Sequence, residues 1–298
     1  MKVYGHRGVI YPDRPPYQNS IDAFKIALKT SDGLECDVCR SKDGELFLIH
    51  EAKYFRNDVG VEYCAQEHLD DASKKLIGER KLEDMPAEDI KKLRLLDGQT
   101  IPTLDDTLPL FTGTDKVLIL ELKGYDVLDI LAERLEKAFK LNELDTTQVV
   151  IVSFNHPELI RTRKLLPQVK IGATFVKEDQ PTAALYPWIS GTKEMAYTSF
   201  KPHISERTIK EIQPDYIVLP HQELNSDTMK QVAKNHPEVG IMIWVFTETI
   251  DLTLGKSFDE KLFLDEVSES LEYNLEGIMI DTPEKTPLYK EYLQNKPE

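Results

Sequence analysis

The sequence predicts an α/β protein, a distorted (β/α)8 barrel of the TIM type, and three observations carry that expectation. Short runs rich in Val, Ile and Leu, bounded by turn residues, alternate with segments of helical period. The alternation persists along the chain, as parallel strands joined by crossover helices require. A length of 298 residues suits one closed barrel, so a single domain spanning 1–298 is expected.

The first strand-like run is Lys2 to His6. Ser20 then offers a cap to a helix whose apolar face is Ile21, Phe24, Ala27 and Leu28, and Ser31-Asp32-Gly33 breaks it. Runs follow at Gly33 to Cys39, Leu46 to His50, Lys116 to Leu122, Val149 to Phe154 and Val169 to Phe175. The last three are Tyr216 to Leu219, Ile241 to Phe246 and Gly277 to Ile280. Helical spacing recurs over 128–141, 156–166, 206–212, 226–235 and 259–273. Nine runs exceed eight staves, and Ser41-Lys42-Asp43-Gly44 predicts a tight hairpin between the second and third, so one run stands outside the closed sheet. Residues 51–98 are polar and charged, with periodicity only over 87–96, and read as an insertion after the strand ending at His50. Its charges at Asp70-Asp71 and Lys74-Lys75 predict a solvated face.

A formal net charge of -15 and a pI near 5.0 oppose any general affinity for nucleic acid or an anionic membrane. The start, Met1-Lys2-Val3-Tyr4-Gly5-His6, lacks a basic leader and apolar core, and no apolar run reaches the roughly 20 residues that span a bilayer. A soluble, cytoplasmic protein without an integral membrane segment is expected; the oligomeric state is left open. Cys36, Cys39 and Cys64 make an odd count, unlike a secreted disulfide framework. Cys36 and Cys39 lack a second pair for zinc, and their odd separation on a strand sends them to opposite faces.

Five short clusters lie inside or at the end of the strand-like runs, in the order His6-Arg7-Gly8, Glu35-Cys36-Asp37, Ile49-His50, Glu121-Leu122-Lys123 and Ile243-Trp244. Lys42-Asp43-Gly44 precedes the second histidine, Ile101-Pro102-Thr103-Leu104 and Ser153-Phe154 come later, and Gly277-Ile278-Met279-Ile280-Asp281-Thr282-Pro283 closes the series. This ordered set resembles the glycerophosphodiester phosphodiesterase family, within the superfamily of phosphatidylinositol-phospholipase-C-like barrels, from His6 to Pro283. The resemblance implies metal-dependent hydrolysis of a small-molecule glycerophosphodiester to sn-glycerol 3-phosphate and an alcohol. It makes Glu35, Asp37 and Glu121 ligands of one divalent cation (Mg, Ca or Mn), His6 and His50 the acid–base pair, and Arg7 and Lys123 phosphate contacts. Three positions depart from the family pattern. Gln18-Asn19-Ser20 stands for Glu-Asn-Thr, Glu51 follows His50 in place of Asp, and Trp244-Val245-Phe246-Thr247 replaces Trp-Thr-Val-Asn.

The residues support that chemistry on their own terms. Strand ends converge on one mouth of a parallel barrel, so His6, His50 and Glu121 would meet there. Glu35 and Asp37, two apart on a strand, share a face while Cys36 and Val38 take the other. With Glu121 they form an all-oxygen set suited to a hard cation; an exposed strand face is the plainer alternative. Lys123 shares a face with Glu121 and serves the ligand shell, the phosphate, or a simple strand ion pair. Arg7 offers a planar fork to phosphate oxygens or to a carboxylate inside the barrel. A phosphate diester needs its charge drawn off and its leaving oxygen protonated, tasks for a cation and for two imidazoles near neutral pH.

The other histidines, His68, His156, His203, His221 and His236, are expected at the surface, with His221 a weaker pocket candidate after a strand end. Trp244 is the aromatic candidate for the glycerol face, against a core role. Loops 9–18, with Tyr11 and Tyr17, and 176–203, with Tyr186, Trp188, Tyr197 and Phe200, are candidate rim or lid segments. Two rival functions keep the same residues: cyclising transfer on a lysophospholipid-type diester, and a non-catalytic barrel that binds phosphorylated ligands. A His-x-His pair, a Gly-x-Gly-x-x-Gly turn and a P-loop are all absent from the sequence.

Overall fold

The computed structural model describes residues 1–11, 14–50, 68–78, 80–123, 126–175, 204, 206–245 and 259–295. Cys64, His203, Glu51, Phe246, Thr247 and the rim candidates Tyr186, Trp188, Tyr197 and Phe200 lie outside the described residues.

Eight parallel strands close on themselves. They are β1 (Lys2–Gly5), β2 (Gly33–Arg40), β4 (Val117–Leu122), β5 (Val149–Ser153), β6 (Lys170–Thr174), β7 (Tyr216–Pro220), β8 (Gly240–Trp244) and β9 (Leu275–Ile280). Closure comes from β1, which pairs with β9 on one side (Tyr4 opposite Met279) and with β2 on the other (Tyr4 opposite Gly33). The surplus ninth run is β3 (Leu46–Leu48), which pairs antiparallel with β2, Val38 opposite Leu48. The predicted hairpin makes that reversal: Ser41 N–H donates to Glu45 O over 2.8 Å, and Gly44 takes a φ of +89° that only glycine adopts readily.

Helices follow the strands. α1 (Ile21–Thr30) starts where Ser20 accepts the Ala23 N–H at 3.2 Å, buries Ala23, Phe24 and Ala27, and stops at Ser31, whose N–H and hydroxyl both return to Ala27 O. α2 (Asp71–Ile77), α3 (Ala87–Ile90) and α4 (Leu104–Thr107) are short; α5 (Val127–Lys140) and α6 (His156–Leu165) flank β5. α7 (Glu206–Ile212), α8 (Asp227–Asn235) and α9 (Glu260–Ser270) precede β7, β8 and β9, and α10 (Thr286–Asn295) ends the described chain. Among the described residues, no helix is long and apolar enough to cross a membrane.

Strand alternation builds two apolar layers. Val3, Leu34, Cys36, Val38, Leu120 and Ile151 face outward beneath the helices and meet Leu128, Leu131 and Leu135 of α5. Tyr4, Ile119, Val152, Tyr216, Val218, Met242 and Met279 fill the barrel. Each such aliphatic side chain contributes about 1.5–3 kcal/mol by leaving water. Tyr216, its hydroxyl 2.8 Å from Lys170 Nζ, helps plug the amino-terminal end, so the polar centre falls at the opposite end.

The insertion, read as a polar and charged loop segment, carries a core of its own. Within its described part, residues 68–78 and 80–98, Leu69, Ile77, Leu82, Met85, Ile90, Leu93 and Leu95 form a second core with Cys39, Phe47 and Ile49, on the face of the β2–β3 hairpin opposite to the one that Val38 and Leu48 turn to the helices. Of the periodic stretch 87–96, helix covers Ala87–Ile90; Asp70 caps α2 by accepting the Ser73 N–H at 2.7 Å, and Asp71, Lys74 and Lys75 are exposed, as the solvated face requires. Cys36 and Cys39 pack on different cores and are not joined by a disulfide; Cys39 Sγ donates to Ile49 O at 3.3 Å.

Candidate active site

At the carboxyl end of β1 the chain turns sharply, Arg7 at φ +51° and Gly8 at φ +79°. A non-glycine residue pays for that conformation with about 1 kcal/mol. Arg7 holds it because its N–H donates to Glu35 Oε2 at 3.1 Å and its carbonyl accepts the Asn19 N–H at 2.9 Å. A Cβ on Gly8 would lie 2.8 Å from the Ala23 carbonyl carbon, so α1 packs directly on the turn. His6 is buried. Its Nδ1 lies 2.8 Å from Asp281 Oδ1, just past β9, and its Nε2 lies 3.9 Å from Glu35 Oε2. A carboxylate at Nδ1 fixes that nitrogen as the proton-bearing one and turns Nε2 to the acidic cluster.

Glu35 and Asp37 point inward from β2, and Asp37 is in register with Glu121 on β4. Glu35, Asp37 and Glu121 each offer an oxygen within 4.8 Å of the others. Two cations face them. Arg7 Nε sits 3.2 Å from Asp37 Oδ2, and Lys123 Nζ donates to Glu121 and lies 3.2 Å from Asp37 Oδ1. Asn19 Nδ2 donates to Asp37 Oδ2 at 2.9 Å, and Gln18 Oε1 accepts from Arg7 Nη1 at 2.7 Å. The segment Gln18-Asn19-Ser20 thus serves Arg7, Asp37 and the α1 cap in turn.

Burial and crowding set the charges. Burial, then Asp37 and Glu121, push the Glu35 carboxyl well above its ordinary range. Burial works against Asp37 as well, but Lys123, Arg7, His50 and the Asn19 hydrogen bond outweigh it and hold Asp37 far down. Burial raises Glu121 against the pull of Lys123. His50 is pushed well below the usual imidazole value by burial and by Arg7, so it is neutral at pH 7.

His50 reaches this centre by a route different from the expected one. It follows an antiparallel strand that runs back from the rim beside β2, where Ile49 N–H donates to Asp37 O at 3.0 Å, rather than ending a barrel stave. Trp244 closes β8, nearly buried, with its ring edge-on to Phe154 at 6.5 Å between centroids. Lys123 Nζ lies 5.8 Å from the Phe154 ring centre. Sequence reasoning assigned no role to Asp281 or Asn19; the one closes a strand in the final motif and the other precedes a helix cap, both weak signals alone.

Of the histidines expected at the surface, His68 stacks on Tyr17 at 4.7 Å and lines a pocket with Gln18, Asn19, His50 and Leu95, because the second core folds the insertion back. His156 Nε2 lies 3.0 Å from Thr174 O, and His236 pairs with the exposed Glu206 and Glu238. The His221 ring lies edge-on to Phe263 of α9. Tyr11 is buried on Val9 and Ala23, with Arg14 over its ring.

A closed parallel barrel with carboxylates, fixed cations and histidines gathered at the carboxyl ends of its strands defines a (β/α)8-barrel enzyme. The chain belongs to the glycerophosphoryl diester phosphodiesterase family, which it matches over residues 6–285. It is 31% identical over 205 residues to a glycerophosphodiester phosphodiesterase of Caldanaerobacter subterraneus subsp. tengcongensis, covering 66% of this chain and 73% of that one. Among solved structures, the fold matches a phosphodiesterase of Oleispira antarctica in complex with the product sn-glycerol-3-phosphate, at TM-score 0.63 and 17% identity over 98% of this chain and 97% of that one. A glycerophosphodiester phosphodiesterase of Parabacteroides distasonis matches at TM-score 0.62 and 20% identity, over 98% and 96% of the two chains.

Proposed function

We propose that this chain hydrolyses glycerophosphodiesters to sn-glycerol 3-phosphate and an alcohol, with a divalent cation at the three carboxylates and His6 and His50 as the acid–base pair. The observation that carries the reading is the convergence of Glu35, Asp37 and Glu121 with Arg7, Lys123 and the His6–Asp281 pair at one barrel mouth. The carboxylates fit a hard cation: their donors are oxygens, Glu35 Oε1 has no hydrogen-bond partner among the described residues, and burial together with the crowding of Asp37 and Glu121 raises the Glu35 carboxyl. A cation bound there supplies positive charge to the nonbridging phosphate oxygens.

The chain's own groups account for the rest. Arg7 and Lys123 reach the phosphate from two sides while holding Asp37 ionised. Asp281 keeps His6 in one tautomer with Nε2 turned to the reacting centre and stabilises the imidazolium when His6 carries a second proton. His50, neutral, takes part in the other transfer. A coupled assay for glycerol 3-phosphate over a panel of diesters tests the reading. Chelator abolishes release, Mg, Ca or Mn added singly restores it, and His6→Ala or His50→Ala lowers kcat by about 10²–10⁴. Retained turnover in either variant sinks the assignment, and phosphorus NMR of the products separates hydrolysis from cyclising transfer.

A further inference from the structure

Among the described residues, the ionisable groups gathered at the acidic cluster come from β1 to β4 and from the end of β9, and the facing wall is contributed by β5 to β8. Its inward residues follow from packing. A Cβ placed on Gly172 would lie 2.8 Å from Val218 Cγ2 and 3.0 Å from Val152 Cγ1, both in the barrel interior. Gly172 therefore faces inward, and alternation turns Thr174, the last residue of β6, to the same side one layer nearer the mouth. Val152 is in register with Gly172, so Phe154 stands beside Thr174, and Trp244 meets that layer through its edge-on contact with the Phe154 ring. The layer begins where the phosphate contacts end, since Lys123 Nζ lies 5.8 Å from the Phe154 ring centre.

Thr174 is 3% exposed, and its hydroxyl has no hydrogen-bond partner among the described residues. A hydroxyl buried without a partner lowers stability, and valine would fill the same shape without that cost. We propose that Thr174 is a specificity-determining residue whose hydroxyl hydrogen-bonds a hydroxyl of the glycerol moiety lying against Phe154 and Trp244. A polyol presents C–H faces and O–H groups together; the two rings take the former and Thr174 the latter. The inference rests on the phosphodiesterase reading and deepens it by naming what recognises the glycerol side.

Calorimetric titration tests it without turnover, using sn-glycerol 3-phosphate and methyl phosphate as probes in buffer containing Mg2+ or Ca2+. The wild type binds the glycerol ester more tightly. Thr174→Val weakens sn-glycerol 3-phosphate by about three- to tenfold, the loss expected of one neutral hydrogen bond, and leaves methyl phosphate unchanged, while Thr174→Ser restores the difference. Equal affinity of wild type and Thr174→Val for sn-glycerol 3-phosphate, with a raised Tm for the variant, overturns the proposal. Failure of the wild type to bind sn-glycerol 3-phosphate overturns it as well. Discrimination that depends on Thr174 in a protein that hydrolyses no diester upholds this inference while the hydrolase reading falls.

Discussion

The departures of single residues decide how the mouth is charged. Gln18 accepts from Arg7 over 2.7 Å without taking its charge, so Asp37 is the carboxylate that the guanidinium meets, and its positive charge is available to the anion proposed to bind there. Gln18→Glu adds a carboxylate at that distance, so the KM for a glycerophosphodiester rises about several-fold. An unchanged KM would show that Arg7 does not meet the phosphate. Asp281→Asn keeps the shape but loses the carboxylate that fixes the His6 tautomer; kcat falls by about 10²–10⁴, the acid limb of the pH profile moves, and Tm changes little. The acidic ligand candidates and His6 were legible because period-two alternation and strand ends are local features. Asp281 was not, since its meeting with His6 spans 275 residues and depends on β9 closing onto β1.

Among elements, α1 was readable to its last turn because cap, apolar face and breaker all lie within the helix's own sequence. β3 was readable both as a strand and, from the turn Ser41-Lys42-Asp43-Gly44, as a reversal of β2, whereas the second core was hidden because Leu69, Ile77, Leu82 and Met85 follow no period. They pack on Phe47 and Ile49, a surface that exists only once the hairpin has folded. α10 was overlooked too. It is tied down by Asp32, which accepts from Lys290 Nζ at 2.8 Å and from the Val3 N–H at 2.8 Å. Burial opposes ionisation of Asp32, but Lys290 and the Val3 N–H outweigh it and lower its pKa. A lowered folded value means that the stabilisation is present above the ordinary carboxylate range and is lost as pH falls through the folded value. Asp32→Asn therefore costs about 1 kcal/mol at pH 7 and nothing in strong acid, as read from urea midpoints at the two conditions.

Over the whole molecule, the fold class was legible from alternation alone, since eight parallel strands joined by helices have few ways to close. The charge of the molecule runs against the chemistry proposed for its mouth: a net charge of -15 repels the anionic diester that Arg7 and Lys123 are proposed to hold at short range. Screening relieves the long-range term first, because the Debye length shrinks to about 8 Å at 0.15 M salt while the contacts are shorter. kcat/KM therefore rises between low salt and roughly physiological ionic strength, the reverse of an electrostatically steered enzyme; a fall over that range would contradict this account.

The pairing of His6 with Asp281 also sets a clock on synthesis. A ribosome releases the histidine 275 residues before the aspartate, an interval of roughly 15–55 s at ordinary elongation rates. Throughout that time the imidazole lacks the carboxylate that fixes its tautomer, and a nascent chain interrupted before its ninth strand carries all three carboxylates of the acidic cluster without it.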